Sequence, residues 1–178
     1  MLRFFSFLAM FGMISIAALA DDAHDQSDGC TIEIGGPLFS GNSNFKLNHN
    51  KSVAHEHVEL NPHVQLYVEQ SACEYLTTVY TFVMDKQASK TDIEEAEYQQ
   101  AIKLLSLVEQ HPQTKNKTII TKAKNRLIRY LDLVANPKQN QKLYLERTDY
   151  PFVETVSVSG ALRNDPVTVK ITISSGPY

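Results

Sequence analysis

The chain lacks tryptophan, internal repeats and a large excess of charge, and the last two of these absences exclude classes of protein. Its seven glycines are spread over 178 residues without a repeat. The lack of repeats excludes solenoid architectures and low-complexity segments. Basic and acidic residues nearly balance, at a formal net charge of -3. Nothing in that balance indicates nucleic acid as a partner.

Recognisable catalytic motifs are also missing. The sequence has no GxSxG, no glycine-rich phosphate loop after a strand, and no Ser/Lys or Cys/His arrangement of familiar spacing. Three carboxylates, Glu69, Glu74 and Asp85, flank the apolar centre of the chain. A pair of them in one cleft would allow glycosidase-type hydrolysis. Sequence separation does not give their distance, so an envelope hydrolase is one alternative for the function.

The N-terminus has the pattern of a secretory signal peptide. Residues 1–20 contain one early cation, Arg3, followed by an apolar run without an acid. Small residues precede Asp21, which predicts cleavage after Ala20. The alternative is an uncleaved anchor, but the apolar run is shorter than the ~20 residues of a comfortable membrane span. The pattern predicts secretion, with the periplasm as the favoured location and no membrane span after cleavage.

The two cysteines predict a single stapled domain. The polar, acidic segment 21–29 is expected to be disordered until Cys30 fixes the chain. Cys30 and Cys73 are the only cysteines, an even pair in a chain that enters an oxidising compartment, and they predict a disulfide. A redox or catalytic thiol is the alternative, but the sequence has no CxxC. Residues 30–178 are therefore expected to form one domain.

The stretch from His63 to Met84 is predicted to be a β-hairpin at the centre of the fold. Apolar and polar residues alternate in its first half, as in a half-buried strand. Cys73 interrupts the run, and the second half is almost entirely β-branched or aromatic. That half is predicted to be a central strand, buried on most of both faces. Upstream, alternation in 31–34 predicts a short edge strand.

After Asp85 the apolar spacing changes from that of strands to that of helices, and later back again. Helices are predicted at 91–111 and 117–135, and further strands at 142–147, 152–162 and 167–174. This order predicts an α+β fold, with a mainly antiparallel sheet of roughly five to seven strands and an antiparallel pair of helices packed on one face.

Four of the six histidines fall within one short segment. His55 and His57 have the spacing that places two imidazoles on one face of a strand, about 6 to 7 Å apart, where they could share zinc, copper or nickel. A zinc site usually has a third ligand, which His49, His63 or Glu59 would have to supply. The alternative is a polar strand face exposed to water.

The second predicted helix is basic over most of its length. Lys122, Arg126 and Arg129 share one face, and the first acid after them is Asp132. Such a face would suit an acidic partner protein or an anionic membrane surface. A solvated helix surface, partly balanced by the acidic start of the neighbouring helix, is the alternative.

These features favour a non-enzymatic binding protein of the bacterial envelope, an inhibitor or immunity-type partner of another secreted protein. A small stapled domain, an export signal and polar loops on a rigid sheet support this hypothesis. One alternative is a periplasmic metal-binding protein that uses His55 and His57, and the other is the envelope hydrolase. No cofactor is expected apart from the divalent transition metal of the first alternative.

Overall fold

The structure, a computed structural model, describes residues 32–42, 44–85, 94–135, 137–145, 152–162, 164 and 166–177. The predicted signal peptide, the polar segment 21–29 and Cys30 lie outside the described residues, as does the predicted start of the first helix. Those expectations stay predictions.

In the described part of the chain, seven antiparallel strands form one sheet, and two helices lie between the fourth and fifth strands in sequence. The strands are β1 (Lys46–Leu47), β2 (Val53–Asn61), β3 (Val64–Ala72), β4 (Leu76–Met84), β5 (Leu143–Tyr144), β6 (Phe152–Ala161) and β7 (Val167–Pro177), and the helices are α1 (Glu94–Gln110) and α2 (Lys117–Leu133). The sheet order is β1-β2-β3-β4-β7-β6-β5. Both helices pack on each other and on one face of the sheet. The predicted α+β fold is confirmed.

The hairpin of β3 and β4 lies at the centre of the sheet, as predicted. Leu66 is opposite Phe82, and Val68 is opposite Tyr80. All four side chains are buried in the core that the helices cover. Because side chains alternate along a strand, the intervening residues lie on the other side of the sheet. We call that side the outer face.

The prediction that β4 is buried on most of both faces is wrong for its outer face. On its outer face, Thr77, Val79, Thr81 and Val83 are only half-buried. Both helices lie on the opposite side of the sheet, so nothing in the described residues covers this side. The β-branched composition of the strand therefore reflects its fit to a pleated sheet and not burial on two sides.

The edge strand predicted at 31–34 is not formed by the described residues of that segment. The N–H of Ile32 donates to the carbonyl of Cys73 at 3.1 Å, and the N–H of Ile34 donates to the carbonyl of Lys51 at 3.0 Å. These acceptors lie in two separate turns, so the segment has no continuous strand to pair with. The two-residue strand β1 takes this edge of the sheet.

Cys73 lies in the turn between β3 and β4, and its thiol is not free. The other cysteine, Cys30, lies outside the described residues, so their pairing stays a prediction. The hydrogen bond from Ile32 to the carbonyl of Cys73 supports it. Ile32 follows Cys30 by two residues in the chain, a separation that an extended backbone spans in about 7 Å.

The two helices bury the apolar stripes that their spacing predicts. On α1 the fully buried hydrophobic residues are Ala96, Tyr98, Ala101, Leu104, Leu105 and Val108. On α2 the buried residues are Ile120, Ala123, Leu127 and Tyr130. Tyr130 is buried, whereas its neighbour Leu131 is only partly buried. In the described residues, neither helix is long and apolar enough to cross a membrane.

A carboxylate near the turn between the helices ties them together. Glu109 of α1 accepts hydrogen bonds from the ammonium of Lys124 and the hydroxyl of Thr121, both on α2. These bonds, with that of Lys124 as the largest cause, hold the pKa of the Glu109 carboxyl below its ordinary value. The side chain of Glu109 is 24% exposed, so water still reaches part of it.

Glu109→Gln is expected to lower the free energy of unfolding by about 0.5 to 1 kcal/mol at neutral pH. A carboxyl whose pKa is depressed by folding stabilises the protein above its unfolded pKa of about 4.3, and this contribution is lost as the pH falls through the folded pKa. The difference between wild type and variant should therefore shrink in acid. Urea unfolding at a series of pH values measures this difference in the free energy of unfolding. Glu59→Gln on β2 is the control at an exposed carboxylate. A difference that persists unchanged in acid would contradict this assignment.

Candidate functional site

Three cations and one amide of α2 surround a small cavity at the surface of the helix layer. Lys122, Asn125, Arg126 and Arg129 line this cavity, and its volume is about 90 Å³. Their spacing of three and four residues places them along one stripe of the helix. The structure thus brings together the three residues that were predicted to bind a partner. We call this feature the basic cavity.

Two contacts define the polar environment of the basic cavity. Lys122 Nζ lies 3.3 Å from Glu154 Oε2 of β6, so one carboxylate already neighbours the cations. The Nε of Arg126 is buried and has no hydrogen-bond partner among the described residues. A buried donor without an acceptor costs about 1 to 3 kcal/mol. An oxygen of a carboxylate or phosphate entering the cavity would be a suitable acceptor, so the cavity can bind an anionic group.

The two histidines predicted to hold a metal lie side by side on the outer face of β2. His55 Nδ1 is 3.9 Å from Glu69 Oε2 on the neighbouring strand. The ring of His57 stacks on that of Tyr67, with ring centroids 4.5 Å apart and planes inclined by 10°. Both imidazoles therefore lie on one face, as their spacing predicted, but each has a different neighbour.

The other two histidines of the cluster lie away from this pair. His63 Nδ1 is 3.3 Å from Asp85 Oδ2, at the far end of β2 and about 25 Å from His55 along the strand. His49 lies in the turn before β2. Across the described residues, no three His, Cys, Asp or Glu side chains group closely enough to hold a metal ion. The metal hypothesis thus gains no third ligand from the described part of the chain.

The three carboxylates considered for hydrolysis do not share a cleft. Glu69 lies within β3, Glu74 follows the end of β3, and Asp85 follows β4 at the opposite end of the hairpin. Any two of them are separated by about 15 Å or more along the strands. The carboxyl groups of glycosidases lie about 5 to 10 Å apart, so no pair among these three has that geometry.

A buried carboxylate that the sequence reasoning missed holds the loop before β1. Glu56 is only 2% exposed. It accepts hydrogen bonds from the N–H of Leu38 at 2.6 Å, the N–H of Phe39 at 3.2 Å, Asn42 Nδ2 at 3.2 Å and Gln70 Nε2 at 3.4 Å. Strand alternation could have identified it, since the period that places the two flanking histidines on the outer face turns this residue towards the helices. Its partners are all structural, which indicates a role in holding the loop.

Two shallow grooves cross the outer face, and no sequence motif indicates them. One, of about 460 Å³, lies between Tyr75 and Tyr144, which are 49% and 60% exposed. The other, of about 480 Å³, lies on the opposite side of Tyr75. Tyr75 and Thr77 line both grooves. Strand order brings these tyrosines together, because Tyr75 directly precedes β4, and β4 and β5 are far apart in sequence but separated by only two strands in the sheet.

Comparisons of the chain with protein-family models, with curated proteins and with solved structures found no match. The function must therefore be argued from the geometry of the sites themselves. Among the residues singled out from the sequence, those around the basic cavity form the most complete arrangement.

Proposed function

We propose that this chain is a non-enzymatic binding protein of the bacterial envelope, which holds another secreted protein as an inhibitor or immunity-type partner does. The observation that carries the proposal is the basic cavity, where Lys122, Arg126 and Arg129 meet around a space for one anionic group. A partner's aspartate or glutamate inserted there would accept a hydrogen bond from the buried Nε of Arg126. Charge-assisted bonds of this kind are among the stronger contacts at protein interfaces.

Exposed apolar side chains beside the cavity favour a protein partner over a membrane surface. Ile128, 39% exposed, follows Asn125 by three residues, and Leu133, 77% exposed, follows Arg129 by four. These spacings place each of them next to a cavity residue on the helix surface. Arginine together with exposed apolar side chains is typical of protein interfaces.

The expected location is consistent with such a partner. The predicted signal peptide would carry the chain out of the cytoplasm, where the predicted disulfide could form. Both features are properties of the sequence, and they make a secreted or envelope protein the natural class of partner. The small net charge of -3 leaves the basic cavity as a local feature of an otherwise balanced chain.

The proposal predicts that a photo-crosslinking residue at Asn125 captures one protein from the envelope fraction of the producing cells. The same residue placed at Lys103, an exposed position of α1, is the matched control. We expect a product at position 125 that is absent at position 103, and that disappears when Arg126→Glu and Arg129→Glu are combined. Identical products at both positions, or a product that survives the charge reversal, would contradict the proposal.

A further inference from the structure

The two grooves on the outer face adjoin at Tyr75 and Thr77, near the end of the sheet that carries the turn between β3 and β4, and we call them together the trough. Their floor follows a row of residues in register on neighbouring strands, with Ser71 opposite Thr77, Thr77 opposite Ser174, and Ser174 opposite Thr155. Tyr144 of β5 continues the row, since it pairs with Thr155. The row spans five strands, which is about 19 Å at the spacing of a sheet. The trough therefore suits an elongated ligand.

The floor of the trough carries a row of hydroxyl groups flanked by apolar side chains, with Val153 in one groove and Val53 in the other. Thr77 Oγ1 and Ser174 Oγ are hydrogen-bonded to each other at 3.1 Å. A hydroxyl can donate one hydrogen bond and accept two, so one mutual bond leaves both residues with capacity for a ligand. Thr155 and Ser174 line the groove on one side of Tyr75, and Ser52 and Ser71 line the groove on the other side. The floor can thus exchange several hydrogen bonds with a ligand that is itself rich in hydroxyls.

Exposed tyrosine rings form the walls of the trough. The ring of Tyr75 lies so close over Gly176 that a Cβ at that position would overlap it. Glycine at 176 therefore permits the position of the ring, and the neighbouring strand supports it. Tyr144, on the edge strand β5, forms the far wall. Each ring offers an apolar face together with a polar hydroxyl.

The geometry points to a neutral glycan as the ligand of this trough. A pyranose ring has an apolar face of C–H groups and a rim of hydroxyls, which match tyrosine walls and a floor of Ser and Thr. An added peptide strand fits less well, because the trough crosses strands whose backbone groups are already paired within the sheet. The charges are few and opposed, with Lys142 lining one groove and Glu74 the other. We propose that the outer face binds a linear, neutral, β-1,4-linked glycan.

The shape of the trough selects the linkage. The ring of Tyr75 lies over Gly176 of β7, and β5, which carries Tyr144, is two strand spacings further across the sheet, about 10 Å. A β-1,4-linked chain is flat and extended, so separate sugar rings can contact both tyrosines while lying along the hydroxyl row. A coiled α-1,4-linked chain of the same length would lose its contact with one of the two tyrosines. This inference does not depend on the basic cavity, which lies on α2 beyond the opposite face of the sheet.

Titration of the full mature protein with cellotetraose, N-acetylchitotetraose and maltotetraose tests the proposal. Calorimetry gives the affinity. Because the chain has eight tyrosines and no tryptophan, the part of the tyrosine fluorescence change that is lost in Tyr75→Ala or Tyr144→Ala reports on the trough. We expect at least one β-1,4-linked tetrasaccharide to bind with a Kd below about 1 mM and maltotetraose to bind about tenfold more weakly. Absence of binding by both β-1,4-linked probes, or equal binding of maltotetraose, would overturn it.

Variants identify the site. Tyr144→Ala and Tyr75→Ala should each weaken binding of the bound tetrasaccharide by about tenfold. Tyr67→Ala is the matched control, since Tyr67 is a 44% exposed tyrosine of the outer face that lines neither groove. Gly176→Ala should weaken binding as Tyr75→Ala does, by displacing the ring. Equal affinity of wild type and Tyr144→Ala, or an equal loss in Tyr67→Ala, would overturn the assignment. If Gly176→Ala folds poorly, the affinity of Tyr144→Ala alone tests the site.

Discussion

Replacing Glu56 with alanine is expected to lower the free energy of unfolding by about 3 kcal/mol. The carboxylate accepts four hydrogen bonds, two of them from the backbone N–H groups of Leu38 and Phe39. Alanine would leave those donors without their acceptor next to the core, where Phe39 is fully buried. A buried donor cannot turn to water, so the cost exceeds that of losing an exposed carboxylate.

The measurement is urea unfolding at neutral pH, with Glu59→Ala as the matched control on the same strand. Glu59 is exposed, three residues along β2, so its removal should change the free energy of unfolding by less than about 0.5 kcal/mol. Hydrogen exchange should also quicken at Leu38 and Phe39 in the Glu56 variant, because their N–H groups are released. Similar stabilities of the two variants would show that Glu56 does not hold this loop.

Removing the predicted disulfide is expected to cost about 2 to 4 kcal/mol. The bond would close a loop of about 43 residues between Cys30 and Cys73, and the chain-entropy model gives the upper end of that range. The described residues support this, since the thiol of Cys73 is not free and the chain at Ile32 is hydrogen-bonded beside it. The double variant Cys30→Ser, Cys73→Ser removes both thiols and so prevents mispairing.

The intact mass of the secreted protein, taken without reductant, checks the bond and the cleavage site together. We expect the mass of the chain from Asp21 less two hydrogens, and a lower unfolding midpoint in urea for the double variant. A mass that retains residues 1–20 would contradict the predicted signal peptide. Wild type and double variant of equal stability would contradict the disulfide.

Local patterns predicted the elements of the fold because each depends on a few neighbouring residues. The alternation around Leu66 and the helical spacing around Leu105 both follow from which side faces a core. The environment of β4 could not be read in the same way, because burial of its second face depends on where the helices pack. The prediction of an edge strand at 31–34 was wrong for a related reason, since a strand exists only where another strand lies alongside it.

The basic cavity could be predicted from sequence, whereas the trough on the outer face could not. Lys122, Arg126 and Arg129 lie on one helix, so their spacing alone places them together. Tyr75 and Tyr144 are 69 positions apart in the chain, and only the sheet order makes them neighbours across two strands. Exposed serines and threonines in strands also carry no motif, so the hydroxyl row becomes visible only with the strand register.

The two proposed sites lie on opposite sides of the sheet, which allows both to be occupied at once. The basic cavity is on the helix layer, and the trough is on the outer face. A protein partner and a glycan would therefore not compete, and the rigid sheet between them would fix their relative position. Binding of a tetrasaccharide should accordingly leave the affinity for the protein partner unchanged.

The measurement that tests the central claim most directly is the affinity of the partner captured at position 125 for wild type and for the combined Arg126→Glu, Arg129→Glu variant. We predict a loss of at least about tenfold on charge reversal, and a weaker wild-type interaction at high salt. Lys103→Glu on α1, which changes charge by the same amount per residue, should leave the affinity unchanged. Equal affinities of the wild type and the charge-reversed variant would contradict the account.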